Sequence, residues 1–298
     1  MSFRVFSPQS ELEALELLNH QLDGLTIPIA GGTNVLVDIK QRKVTPKALV
    51  DLSRIRDWKK IEQTEGGLEI GPLVNHSELE ASPLIAKSFT ALAMAASTVG
   101  SPQIRNRGTL GGNLQSASPA ADCVPPLLVF DAMLTLVSLS GKREVGVADF
   151  FLGAGKTVLR PNELINKISI KNCSNKISIF RKTGLRKALA ISLVNLAVSL
   201  ELDEDNRCSK ARVAFGSVAP TPIRVKGVEA FLEGQMIDPD IIKALSEIVE
   251  REISPITDLR ATATYRRYLA KELLKESILN VISTRRSSYG RNHSEFNS

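Results

Sequence analysis

The chain of 298 residues is poor in the side chains that most often do chemistry: three cysteines, three histidines, one tryptophan and only 5% aromatic residues. Each scarcity excludes something. Cys123, Cys173 and Cys208 lie far apart, no C-x-x-C occurs, and no Cys or His pair has metal-ligand spacing. An iron–sulfur cluster held by about four thiolates cannot be built from this chain alone, and a tetrahedral zinc site lacks its ligands. An odd, dispersed set of thiols is no disulfide framework and suits a reducing compartment. The opening MSFRVFSPQS has no basic segment followed by an apolar core, so no secretory signal is expected. The most apolar run, Ala188 to Leu200, is interrupted by Ser192, Asn195 and Ser199 and falls short of the ~20 residues of a spanning helix. The expectation is a soluble, cytoplasmic protein without membrane contact. The net charge of +6 is spread along the chain and stacking aromatics are few, so nucleic acid is not an expected partner.

What is present is an ordinary globular composition, 43% hydrophobic and 23% charged, at a length that suits about two domains. Leu12, Leu15 and Leu18 predict a helix over 11–20 with Ser7-Pro8 as its start. Strands are expected at 26–30, 48–52, 58–63 and 68–72, with Gly66-Gly67 as a hairpin turn between the last two. An Ala-rich helix over 84–99 ends at Gly100, and a long loop over 100–119 follows. Further strands are expected at 131–140, 144–147, 165–170 and 177–180. The chain turns polar at 172–176, where the domain boundary is placed. Beyond it come strands at 191–202 and 212–219, helices at 227–233, 240–251 and 259–282, and a polar tail over 284–298 without fixed structure.

Three segments carry binding chemistry. Ala30-Gly31-Gly32-Thr33-Asn34 follows a short strand; paired glycines permit close approach and positive φ, and successive amides there can form an anion nest. A glycine pair serves a plain turn just as readily. Gly108-Thr109-Leu110-Gly111-Gly112-Asn113 repeats the same residue types, which suggests two sides of one diphosphate clamp, with Arg105 and Arg107 as sources of charge. Asp122, in A-S-P-A-A-D, can accept from ribose or ribityl hydroxyls or cap the following helix. A decoy is Gly153-Ala154-Gly155-Lys156-Thr157: a phosphate loop needs glycine five positions before Gly155, and that residue is Phe150. No G-x-G-x-x-G follows the first strand and no G-x-S-x-G is present. His20, His76 and His293 are scattered and assemble no triad, so the residues describe a holder of a phosphorylated cofactor, not an acid–base site.

Taken in order, AGGTN (30–34), VGSPQIRNRGTLGGNLQSASPAAD (99–122), FFLGAGKT (150–157), FRKTGLRKALAIS (180–192) and AFGSVAPTPIR (214–224) resemble the FAD-binding medium subunits of molybdenum hydroxylases. That family includes the flavin subunits of xanthine, nicotinate and aerobic carbon monoxide dehydrogenases. The resemblance implies an α+β fold: a two-subdomain FAD-binding domain of the vanillyl-alcohol oxidase and cell-wall reductase type over 1–173, then a smaller α+β domain with an antiparallel sheet over 174–283. It implies FAD contacts from Ile27, Pro28, Ile29, Ala30, Gly31, Gly32, Thr33 and Asn34, from Thr109, Leu110, Gly111, Gly112 and Asn113, and from Asp122, Ile165 and Lys182. No catalytic or metal-ligating residue is expected. Partners would be a large molybdopterin-binding subunit and a small [2Fe–2S] subunit, with NAD+ or another acceptor taking the electrons. Two departures stand out: Asn34 where many relatives have Asp, and Ala190 where they often have Asp. A free-standing flavoprotein reductase of the same superfamily would need its own substrate pocket and general acid. A basic scaffold or nucleic-acid binder would need a clustered cationic face.

Overall fold

The computed structural model describes residues 3–20, 24–172, 176–186, 191–238 and 241–294, the last eleven by backbone alone. Cys173 and Ala190 lie outside these residues, so the departure at Ala190 is outside the structure described.

The chain opens with a small parallel sheet, β1 (Arg4–Phe6), β3 (Ala48–Asp51) and β2 (Thr26–Ile29) side by side in that order. Helix α1 (Glu11–Asn19) packs on it. Ser10 caps this helix, its hydroxyl accepting from the Glu13 amide, and Ala14, Leu15 and Leu18 form the buried face. Leu12 points outward instead, and Ser7-Pro8 precedes the cap. After β2 the turn Ala30–Asn34 leads into α2 (Val35–Lys40).

A second unit is built on a five-stranded antiparallel sheet in the order β4 (Ile61–Thr64), β5 (Gly67–Ile70), β10 (Leu164–Lys171), β6 (Met133–Ser138), β7 (Gly141–Gly146). The segment expected as a strand from Trp58 begins as a 3-10 turn, Arg56–Lys59, because Trp58 folds inward and is buried. Helices cover the sheet. The single helix expected over 84–99 is two, α4 (Pro83–Ser88) and α5 (Thr90–Ser97), preceded by α3 (His76–Ala81). The break falls at Phe89, whose backbone leaves the helical region (φ −130°, ψ 46°) to bury its ring edge-on against Phe130 at 5.1 Å. Half of the expected loop over 100–119 is helical, in α6 (Pro102–Arg105) and α7 (Leu110–Gln115), capped by Ser101 and Thr109. Then come α8 (Val124–Val129), α9 (Val147–Phe150), and a hairpin of β8 (Phe151–Gly153) and β9 (Lys156–Thr157). That hairpin is the true form of Gly153–Thr157: Gly155 sits at its tip with φ +70°.

The last unit is an antiparallel sheet of β11 (Lys176–Gly184), β12 (Ser192–Leu202), β13 (Cys208–Gly216) and β14 (Ile223–Arg224). Helices α10 (Lys226–Leu232), α11 (Ile241–Glu252) and α12 (Ala263–Ser294) pack on one face. Helices α5 and α8 of the preceding unit pack on the other, so Phe180, Ala197 and Ala214 belong to that unit's core. A strand covered on both faces needs no polar side, and nine successive residues of β12 are buried. This accounts for the most apolar run of the chain. The tail expected without structure from 284 is helical to Ser294: once a helix is anchored by packed turns, adding residues needs no new nucleation.

Candidate functional site

The first glycine loop leaves β2 and touches the second directly. A Cβ at Gly31 would lie 1.8 Å from the Arg107 carbonyl oxygen, so only glycine permits this junction. Gly32 takes φ +74°, the left-handed region that favours glycine. Among the described residues, no acceptor takes the amides of Gly31, Gly32, Thr33 or Asn34. A run of unpaired amides is costly unless a ligand or water meets it.

The second loop is arranged differently. Thr109 caps α7 through its hydroxyl, which accepts from the Gly112 amide at 3.1 Å. The amides of Leu110 and Gly111 donate to Val74 and Pro72, each at 2.9 Å, and that of Asn113 to Thr109. A Cβ at Gly111 would meet the Pro72 side chain at 2.7 Å. This loop therefore spends its backbone donors internally and offers a rigid wall. Gly112 is exposed on it, and the buried side-chain oxygen of Asn113 has no partner among the described residues. The two loops look alike in sequence, yet one supplies donors and the other shape.

Between them runs a cleft of about 570 Å³ lined by the first loop, Gly108, Gly112, Asn113, Val99 and His76. The Gly155 hairpin tip closes one side, its amide donating to Ala117 at 2.9 Å. A more apolar pocket of about 270 Å³ adjoins it, lined by Pro28, Ala30, Trp58, Gly111, Leu159 and Ile165 among others. Unpaired donors beside an unpaired carboxamide oxygen, with an apolar chamber adjoining, fit a dinucleotide: oxyanions for the amides, a sugar or ribityl hydroxyl for Asn113, a ring for the chamber.

Behind the cleft lies a layer that sequence reasoning saw only in part. Asp122 is buried and accepts from Lys182 at 2.5 Å, Ser192 at 2.6 Å and Asn195 at 2.7 Å. Lys182 also donates to the Thr98 carbonyl at 3.1 Å. The pair stands between the second and last units, and neither member is among the residues lining the two pockets. The aspartate that was expected to take a sugar hydroxyl, and the lysine expected beside the flavin, are thus each other's partners here. Next to Asp122, the Cys123 sulfur lies 3.6 Å from His76 Nδ1. Burial, then the Arg105 charge, pushes the His76 pKa down to about 4. Burial and then Asp122 push the Cys123 thiol far up, with Lys182 opposing. Nothing in the local sequence marks His76, because its neighbours come from Gly108 and Cys123, far along the chain. Among the described residues no group of three His, Cys, Asp or Glu is placed to hold a metal.

The family model described as FAD binding domain in molybdopterin dehydrogenase matches residues 1–171, and that of the CO dehydrogenase flavoprotein C-terminal domain matches 179–281. The chain belongs to the FAD-binding subunit family of molybdopterin dehydrogenases. Its relatives are oxidoreductase subunits. The nicotinate dehydrogenase FAD-subunit of Eubacterium barkeri is 30% identical over 284 residues, covering 94% of this chain and 96% of the relative. The nicotine 6-hydroxylase medium subunit of Paenarthrobacter nicotinovorans is 31% identical over 278 residues, 93% and 96% of the two. In three dimensions the chain is similar to quinoline 2-oxidoreductase from Pseudomonas putida 86, with TM-score 0.88, 29% identity and 94% and 96% coverage. It is also similar to carbon monoxide dehydrogenase from Hydrogenophaga pseudoflava, with TM-score 0.87, 28% identity and 93% and 96% coverage. The α+β architecture is that of these relatives.

Proposed function

We propose that this chain is the FAD-carrying electron-transfer subunit of a molybdopterin-dependent dehydrogenase. Its partners are a large molybdopterin-binding subunit, where substrate is oxidised, and a small [2Fe–2S] subunit; the terminal acceptor is NAD+ or another. The observation that carries this reading is the run of unpaired amides from Gly31 to Asn34 facing the rigid second loop. These amides hold the diphosphate, with Ile27, Pro28, Ile29 and Ala30 shaping the approach. Thr109, Leu110 and Gly111 fix the opposite wall, Gly112 lets the ligand lie close, and Asn113 accepts from a hydroxyl. Ile165 lines the chamber for a ring. Asp122 and Lys182 hold the floor from behind. Bound FAD supplies the redox chemistry. Two of its thiols, Cys123 and Cys208, are free and buried, which suits work in a reducing cytoplasm.

The test uses Gly112→Leu. A Cβ at Gly112 meets only the Thr109 hydroxyl, at 3.1 Å, so the variant folds but fills the cleft. It is expected to purify colourless, with a thermal midpoint within about 4 °C of the parent, the shift that ~1 kcal/mol produces at this size. Full flavin occupancy in this variant would overturn the clamp.

A further inference from the structure

His76 is a polar side chain of the cleft wall that the family resemblance leaves without a role. The residue is 2% exposed, yet it lines the cleft. Its position is fixed from two directions. The backbone amide donates to Gly108 at 3.1 Å, and the Cδ2–Nε2 edge lies under Gly108, where an added Cβ would stand 3.1 Å from Cδ2 and 3.5 Å from Nε2. On the other edge, Nδ1 meets the Cys123 sulfur at 3.6 Å. Among the described residues nothing accepts from or donates to Nε2. A buried imidazole with one nitrogen engaged and the other unpartnered at a cleft wall is poised for a ligand atom.

The chemistry of that atom follows from the neighbours. Burial keeps the Cys123 thiol protonated, so its S–H is available to donate to Nδ1 at 3.6 Å, an arrangement that puts the ring proton on Nε2. Burial, and then the Arg105 charge, leave the ring neutral. Nε2–H has no lone pair to offer and needs an acceptor. It lies beside Gly108, across the loop junction from the unpaired amides of Gly31 to Asn34.

We propose that His76 is a neutral donor in the diphosphate site: the Cys123 thiol fixes its Nε2–H tautomer, and Nε2–H donates to an oxyanion of the bound dinucleotide. Cys123 acts through His76 and is a positioning residue. The inference rests on the reading of the cleft as a FAD site, and its test separates the two.

In the full-length chain, nitrogen NMR of the imidazole reads the tautomer with no ligand present. The Nε2–H form is expected, with Cys123→Ala giving a mixture; the Nδ1–H form in the parent would overturn the proposal even if FAD binds well. Titration with FAD, followed by flavin fluorescence, reads the contact. His76→Leu is expected to weaken binding about 10- to 100-fold, the span of one hydrogen bond to a charged group. His76→Gln, which keeps a neutral donor, should recover part of the loss, and should remain measurable if the leucine variant folds poorly. Phosphorus NMR of the bound diphosphate should shift in both variants. FAD binding in the parent with unchanged affinity and phosphorus shifts in both variants would refute the role of His76 alone. A parent that takes no FAD under any condition would refute the site reading, and the donor role with it.

Discussion

At position 31 a side chain is missing because another loop occupies its place. Gly31→Ala would drive a Cβ into the Arg107 carbonyl. It is expected to destabilise the protein by about 2–3 kcal/mol, read from urea unfolding, and to lose FAD with it. Gly112→Ala, on the open side of the same cleft, should change stability by no more than about 1 kcal/mol, since alanine favours the helix it sits in. The glycines were legible in the sequence as a pair of similar motifs, but the division between a donor loop and a wall was not, because it depends on which carbonyls the folded neighbours present. His76 makes a second residue-scale prediction. Its folded pKa of about 4 lies below the unfolded value near 6.5. Below pH 6.5 the unfolded chain therefore binds a proton that the native chain does not, and stability falls as pH drops toward 4. Through this group alone the loss between pH 7 and pH 4.5 is about 2–3 kcal/mol. His76→Leu should flatten that part of the curve in urea titrations at the two pH values.

Among the elements, hydrophobic periodicity found most strands, α10 and α11 to within a few residues, and the start but not the end of α12. It failed where a long-range contact overrode local preference: Phe89 breaks a helix to reach Phe130, and Trp58 turns a strand into a 3-10 turn. The expected loop over 100–119 became two short helices because Ser101 and Thr109 cap them, a signal present in the sequence but masked by its glycines. The anchoring of α12 was not legible at all. Arg266, 3% exposed, donates to the Asp258 carboxylate at 2.9 Å, and its guanidinium also reaches the Leu193 and Ser217 carbonyls of the sheet side. Burial raises the Asp258 pKa, but the Arg260 and Ala261 amides and then the Arg266 charge outweigh it and hold the carboxyl at about 2. The stabilisation is thus present above the ordinary value of 3.8 and lost as pH falls through about 2. Asp258→Asn leaves Arg266 buried without its counter-charge and is expected to lower stability by about 3 kcal/mol, measured by urea unfolding at neutral pH, with less acid sensitivity than the parent.

For the whole molecule, the polar stretch near 172 marks the passage from the five-stranded sheet, which ends at Lys171, to the last sheet, which starts at Lys176. What the pattern could not show is that the last sheet lends one face to the core before it. Lys182→Met removes one half of a buried ion pair at that seam and leaves Asp122 with only neutral donors. The expected loss is about 3–5 kcal/mol, seen as a lower thermal midpoint, with faster release of bound flavin.

The same seam governs the order in which the protein can be finished during synthesis. The three partners of Asp122 follow it by 60, 70 and 73 residues. At ~5–20 residues per second, the floor of the cleft waits about 4–15 s for its last hydrogen bond after Asp122 has been added. Until Lys182 is added, 60 residues on, the carboxylate has no counter-ion, and until β11 to β13 follow the apolar sides of α5 and α8 have no cover. The flavin-binding half is encoded first, yet it is completed only when the first strands of the second half have been made.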